Sequence, residues 1–284
     1  MSGSRVVVGV DGSPLSATAV QHAARAAHDR GLPLHVVHAF APDLPMLGFG
    51  ALADREVVTA HGRRLLAAAV ARAHAVHPDL EVTTALPDGY ASTALVSASR
   101  SAALVVVGAT GFGLLSHTTM GAVARQVLAH ARCFVLVVGH ETAGAPTRGG
   151  RVVVGVDGSK ASLTALRAAA HEAQRLGGSL EVVHVWQASG AHDPTLASAS
   201  SWEDYEQGIE RSVRATLAEP GLPAVPAAVH VVREDPVRAL VEHAEGADLL
   251  VVGSRGAGGF EGLRLGSTAT SLVGRCPAPL LVTR

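Results

Sequence analysis

Three glycines and a serine set a spacing that chemistry can use. Gly253, two residues, Gly256, nine residues, Gly266 and then Ser267 join an apolar run to a segment with helical patterning. A residue without Cβ lets a ligand approach main-chain N–H groups. The N–H groups and dipole of a following helix favour an anion there. Ser267 and Thr268 add hydroxyl donors, Arg255 and Arg264 add positive charge, and Gly258 lies inside the same loop. The chemistry this favours is capture of a phosphate. The alternative is a flexible surface turn, although long glycine loops in α/β units are more often functional than idle. Two familiar phosphate motifs do not fit. Lys160 is the only lysine and does not stand in a Gly-x4-Gly-Lys motif. The dinucleotide fingerprint belongs after the first strand, where this chain reads "GVDGS".

The elements that must position these residues come twice. "RVVVGVDGS" occupies 5–13 and again 151–159, identical in all nine residues. "LHVVHAF" (34–40) is answered by "LEVVHVW" (180–186), and "AALVVVGATG" (102–111) by "ADLLVVGSRG" (247–256). The offset is 146 residues early in the copy and 145 later. A repeat of that length is a whole domain rather than a solenoid unit. The boundaries expected are 1–140 for the first domain, 141–150 for a Gly/Pro/Thr linker and 151–284 for the second.

Within each copy, apolar runs alternate with helical segments. Strands are expected near 5–10, 33–39, 80–85, 103–107 and 134–138, then near 151–156, 179–185, 227–232, 248–252 and 279–283. Near-continuous Val, Leu and Ala, without polar alternation, is the signature of parallel strands buried on both faces. Ser13 is suited to cap a helix and Pro14 to open it. Five strands alternating with four helices imply two doubly wound α/β domains with right-handed crossovers. Ligands bind such sheets beyond the carboxyl ends of the strands. Asp11 and Asp157 follow the first strands there, and the glycine loops follow the fourth.

Strand-"GVDGS"-helix together with Gly-x2-Gly-x9-Gly-Ser resembles the universal stress proteins, and the paired copies resemble their tandem type. The resemblance covers nearly the whole chain. It implies a Rossmann-like five-stranded parallel sheet in the order 3-2-1-4-5, which puts the two motif loops side by side. It further implies ATP as ligand, with Mg2+ or Mn2+. By resemblance, Asp157 lies beside the nucleoside and Val185, after His184, lines the adenine pocket. Gly253 and Gly256 admit ribose and phosphates, and Gly266, Ser267 and Thr268 cradle the phosphates. Asp11, Ala39, Gly108, Gly111 and Gly121 hold the matching positions in the first copy. There the pattern departs: Ala122 answers Ser267, Val123 answers Thr268, Leu114 answers Gly259 and His117 answers Gly262.

Other residues invite blander readings. Fifteen histidines suggest metal, yet no Cys or carboxylate accompanies them at a recognised spacing, so no metal site is expected. His74 and His77 share helical spacing, while His22, His28, His61 and His171 read as ordinary helix-surface residues. His38 and His184 recur at matching positions, either touching nucleotide or packing with a backbone partner for the ring. Asp11 and Asp157 lack a matched acid–base partner. Cys133 and Cys276 do not correspond under the offset and read as buried, incidental thiols. Segment 187–201 is expected to be a mobile loop over the second site, and 41–54 its more apolar counterpart.

Composition narrows the function. A formal net charge of -1 over 284 residues gives no general pull on nucleic acid or membrane. Aromatics at 3% leave few stacking platforms for single strands. No run approaches the roughly 20 apolar residues that span a bilayer. No secretory leader is recognised, and two cysteines that form no disulfide framework suit a reducing compartment. The expectation is a cytoplasmic ATP-binding regulator of stress or dormancy that acts through a protein partner. It is expected to be a homodimer, with the two domains of each chain paired through their fifth strands about a pseudo-two-fold axis. A slow ATPase or phosphotransferase and a nucleotide-free scaffold are the rivals.

Overall fold

The computed structural model describes residues 4–40, 55–111, 120–142, 149–186, 201–256 and 265–284. The chain divides into two compact units, Met1–Gly144 and Ala145–Arg284.

The first unit runs β1 (Val6–Gly9), α1 (Pro14–His28), β2 (Leu34–Val37), α2 (Arg55–Val76), β3 (Val82–Ala85), α3 (Ala91–Ala98), β4 (Leu104–Gly108), α4 (Ala122–His130) and β5 (Phe134–Val138). The second runs β6 (Val152–Val156), α5 (Lys160–Arg175), β7 (Leu180–Trp186), α6 (Trp202–Leu217), β8 (Ala227–Arg233), α7 (Pro236–Ala244), β9 (Leu249–Gly253), α8 (Ser267–Leu272) and β10 (Leu280–Thr283). Strand order is β3-β2-β1-β4-β5 in the first unit and β8-β7-β6-β9-β10 in the second. Every neighbouring pair within a unit is parallel. The expected alternation and the expected order are both present.

Local chemistry explains the starts of the helices. Ser13 Oγ accepts from the Ser16 N–H at 3.1 Å, and Pro14 opens α1 with a preset φ. Ser159 Oγ accepts from the Ser162 N–H at 3.1 Å to open α5. Asp235 Oδ1 accepts from the N–H groups of Val237 and Arg238, and Pro236 follows it to open α7. The glycine of each "GVDGS" turn is needed for its backbone. Gly12 has φ +86 and Gly158 φ +77, the left-handed region that side chains disfavour.

The core follows strand order. Val6, Val7 and Val8 of β1 and Val152, Val153 and Val154 of β6 are fully buried, between neighbours on both sides. The outer strands are different. β3 exposes Thr83 and Thr84, and β8 is mostly half-buried. These outer strands do not carry the two-sided burial expected of every run. Each has one strand neighbour in its unit.

Candidate functional site

In each unit the glycine-bearing loop and the aspartate meet because of strand adjacency. β6 pairs directly with β9 and β1 with β4. The loop after one strand therefore opens beside the loop after the other. In the second unit the Asp157 carboxylate lies over Gly256 so closely that a Cβ there would collide with Oδ2. Asp11 stands over Gly111 in the same way. The same apposition of carboxylate and bare Cα arises in both units.

Each aspartate is also fixed by its own turn. Asp157 Oδ1 accepts from the Ser159 N–H at 3.0 Å. Asp11 Oδ1 accepts from the Ser13 N–H at 2.9 Å and from the Ser13 hydroxyl at 2.6 Å. Asp157 is exposed and Asp11 half-buried. Around Asp157, Arg255 and Gly256 are exposed, as is Ser267, while Thr268 is half-buried in the first turn of α8. Gly266 donates its N–H to Ser254 O at 2.8 Å, which folds the start of α8 back onto the end of β9. Gly121 donates to Ala109 O at 2.8 Å for the same result before α4. Val185 is half-buried near the end of β7, next to His184, which pairs with Val156 across β6. Ala39 is half-buried just beyond β2.

The glycines that recur between the two copies differ in what requires them. A Cβ on Gly253 would stand 2.9 Å from Ala161 C and 3.0 Å from Ala161 O, against the backbone of α5. Gly253 is thus needed for α5 to lie on β9. A Cβ on Gly108 would stand 3.1 Å from Thr110 O and 3.2 Å from Leu15 Cγ, again protein against protein. Gly266 is unlike both. Its φ is -75, and a Cβ there would make ordinary contacts of 3.4 Å or more. Among the described residues, no backbone or packing demand accounts for a glycine at 266. Gly121 is closer to neutral, with a Cβ 3.3 Å from Ala109 O.

The same family model, described as the universal stress protein family, matches residues 4–139 and again 150–284. This chain belongs to the universal stress protein family. Universal stress protein Rv2623 of Mycobacterium tuberculosis (strain ATCC 25618 / H37Rv) is 33% identical, covering 98% of this chain and 96% of its own. Universal stress protein Rv1996 of the same strain is 33% identical over 98% of this chain and 94% of its own. Among solved structures, a universal stress protein from Archaeoglobus fulgidus DSM 4304 has TM-score 0.71 at 21% identity, covering 99% of this chain and 97% of its own. That likeness shows the fold.

Set beside each other, the two units are not equal. The position of Arg255 is Thr110 in the first unit, buried and hydrogen-bonded through Oγ1 to His140 Nε2 at 3.0 Å. Where the second unit has Thr268, the first has Val123, an apolar side chain 38% exposed. Gly258, Gly259, Gly262 and Arg264 lie outside the described residues, as do Leu114, His117 and the segments 41–54 and 187–200. Ser201, read with that last segment, instead caps α6 by accepting from the Asp204 N–H at 3.1 Å.

The histidines sort themselves by partner. His38 Nδ1 reaches Val10 O at 2.8 Å, a backbone partner as the packing alternative requires. His184 has a side-chain partner. It is buried, and its Nε2 lies 2.7 Å from the Tyr205 hydroxyl. Tyr205 stands on α6, so His184 ties β7 to that helix. His77 stacks on His28 with ring centroids 3.9 Å apart, and His74 Nε2 meets Leu80 O at 3.1 Å. Burial first, then the neighbouring His28 ring, push the His77 ring below the ordinary histidine range; Asp29 opposes and Arg25 adds to the shift. His22 is not an ordinary surface residue. Burial, then Arg25, push its pKa down to about 4.

Proposed function

We propose that this universal stress protein binds ATP, with Mg2+ or Mn2+ as counter-ion, at the Asp157 site of its second unit. The observation that carries the reading is the apposition of Asp157 and Gly256. It sets a carboxylate from one loop against bare backbone from the other, beyond the carboxyl ends of adjacent parallel strands. Gly266 supports it, since neither its φ nor its neighbours among the described residues explain a missing side chain. Arg255 and Ser267 are exposed on the same loop system, with charge and hydroxyl suited to phosphate. Asp157 would meet the nucleoside, and Val185 with Gly253 would border it. Membership in the family supports a role in a stress or dormancy response. We place the chain in the cytoplasm as a regulator whose protein contacts change with nucleotide. The test is isothermal titration of the purified chain with Mg-ATP, wild type against Asp157→Asn and Gly266→Val. Binding weakened in Asp157→Asn and lost in Gly266→Val, with unchanged melting curves, supports the site. Wild-type affinity in both overturns it.

A further inference from the structure

Glu181 of β7, His230 of β8 and His243 of α7 are far apart in sequence but converge in the second unit. One ligand atom from each lies within 4.8 Å of the other two. His243 Nδ1 donates to Glu181 Oε1 at 2.5 Å, and His230 Nε2 stands 3.5 Å from the same oxygen. The imidazole rings of His230 and His243 are 5.1 Å apart at their centroids.

We infer that Glu181, His230 and His243 form a Zn2+ site with three protein ligands and one position left to water.

The fold explains the convergence. Glu181 pairs with Ala228 and Val183 with His230 across β7 and β8. Side chains two apart on a strand share a face, so Glu181 and His230 lie on one face. His243, in the last turn of α7, meets them there. The donor set is two imidazole nitrogens and one carboxylate oxygen. This suits zinc, and three protein ligands plus water is its open arrangement. Magnesium and calcium prefer all-oxygen shells. Ligand atoms around tetrahedral zinc stand about 3.3 Å apart. The present separations bracket that value, so small side-chain rotations suffice.

The carboxylate is oriented from behind. Arg151 NH1 donates to Glu181 Oε2 at 2.5 Å, which leaves Oε1 turned toward both imidazoles. The Arg151 backbone N–H is held in turn by Asp248 Oδ2 at 2.9 Å. Metal-ligating carboxylates are commonly fixed by such partners. Access is open, since the His230 side chain is 43% exposed. The first unit supplies an internal control. At the matching offsets it has His35, Ala85 and Ala98, with His35 Nδ1 on Thr83 Oγ1 at 2.9 Å. One full ligand set therefore exists per chain among the described residues.

The experiment is competition titration of Zn2+ against a chromogenic chelator on the metal-free full chain, without nucleotide. One tight equivalent is expected, undisturbed by excess Mg2+. His230→Gln and His243→Ala should each weaken it by at least about 100-fold, beyond the cost of losing an outer partner. His35→Gln should leave it intact. His230 makes the longest contact and is exposed, so His230→Gln separates ligand loss from damage to the fold, checked by its melting curve. Zn2+ should also raise the midpoint of wild type and not of His230→Gln, because the ligand set is assembled only in the folded chain. No tight equivalent in wild type, or one that persists in the His230→Gln/His243→Ala double variant, overturns the inference. Displacement by Mg2+ overturns it as well.

Discussion

At Asp157 the binding proposal separates from the needs of the fold. Its Oδ1 holds the Ser159 N–H, so Asp157→Ala removes a turn contact as well as a charge. Asp157→Asn keeps an acceptor for that N–H and removes only the charge. Hydrogen bonds involving charged groups contribute roughly 1.5–3 kcal/mol, which corresponds to about 10–100-fold in affinity. Asp157→Asn is therefore expected to weaken Mg-ATP binding by about that factor in calorimetry. Its thermal midpoint should stay near that of wild type. An unchanged dissociation constant would remove Asp157 from the site. The neighbouring glycine offers a second approach to the same contact. Gly256→Ala places a methyl group in collision with Asp157 Oδ2, so the carboxylate must swing away. The aspartate and the glycine were each legible as residues, because "GVDGS" and the glycine spacing recur in both copies. Their apposition was legible only through the family resemblance, whose strand order 3-2-1-4-5 puts the two loops side by side, as β6 beside β9 does. Residue spacing alone does not state that pairing.

Among the elements, Gly253 and Gly266 look alike in sequence and do different work. Gly253 ends β9 under the backbone of α5 at Ala161, so a larger side chain forces helix from sheet. Overpacking of this kind costs typically about 1–3 kcal/mol. Gly253→Val is thus expected to lower the melting midpoint by several degrees even without ligand. Gly266→Val should hardly move the midpoint of the empty protein, because its φ and its surroundings tolerate a Cβ. Equal melting losses in both variants would show that 266 too is a structural glycine. Helix α1 carries a different prediction. His22 is held neutral by burial, its pKa pushed down to about 4 from 6.5. The unfolded chain takes up a proton at this residue below 6.5, and the folded chain does not. The sign follows: stability is full above pH 6.5 and falls as pH drops from 6.5 toward 4. The loss from this residue is at most about 3 kcal/mol. Denaturant midpoints measured across that window should flatten in His22→Gln. An identical slope would deny His22 the role. Strand and helix positions were readable from apolar runs and caps. The depth of His22 was not, since it sits among alanines whose packing only the helix–sheet contact decides. The Glu181, His230 and His243 cluster was hidden for a related reason. Its members belong to three elements, and no motif spacing links them.

For the whole molecule, duplication made the architecture legible. Nine identical residues recurring at a fixed offset, with matched strands after them, define two copies of one domain. The same comparison shows how far the copies have diverged. The first unit keeps Asp11 over Gly111 and the helix start at Gly121. Among its described residues it lacks counterparts of the groups proposed to bind phosphate in the second. Thr110 replaces Arg255 and is turned inward to His140. Ala122 and Val123 replace the hydroxyls of Ser267 and Thr268. Asp11 also accepts a hydroxyl hydrogen bond from Ser13, where Asp157 is exposed. Losing one hydrogen bond to a charged phosphate oxygen costs roughly 1.5–3 kcal/mol. The first unit is therefore expected to bind Mg-ATP at least about 10–100-fold more weakly than the second. Calorimetry of the intact chain should show one dominant class of site. Gly266→Val should remove its heat, and Gly121→Val should leave the heat nearly unchanged. Two equal sites in wild type would refute the inequality. Loss of the heat in Gly121→Val alone would transfer the binding site to the first unit.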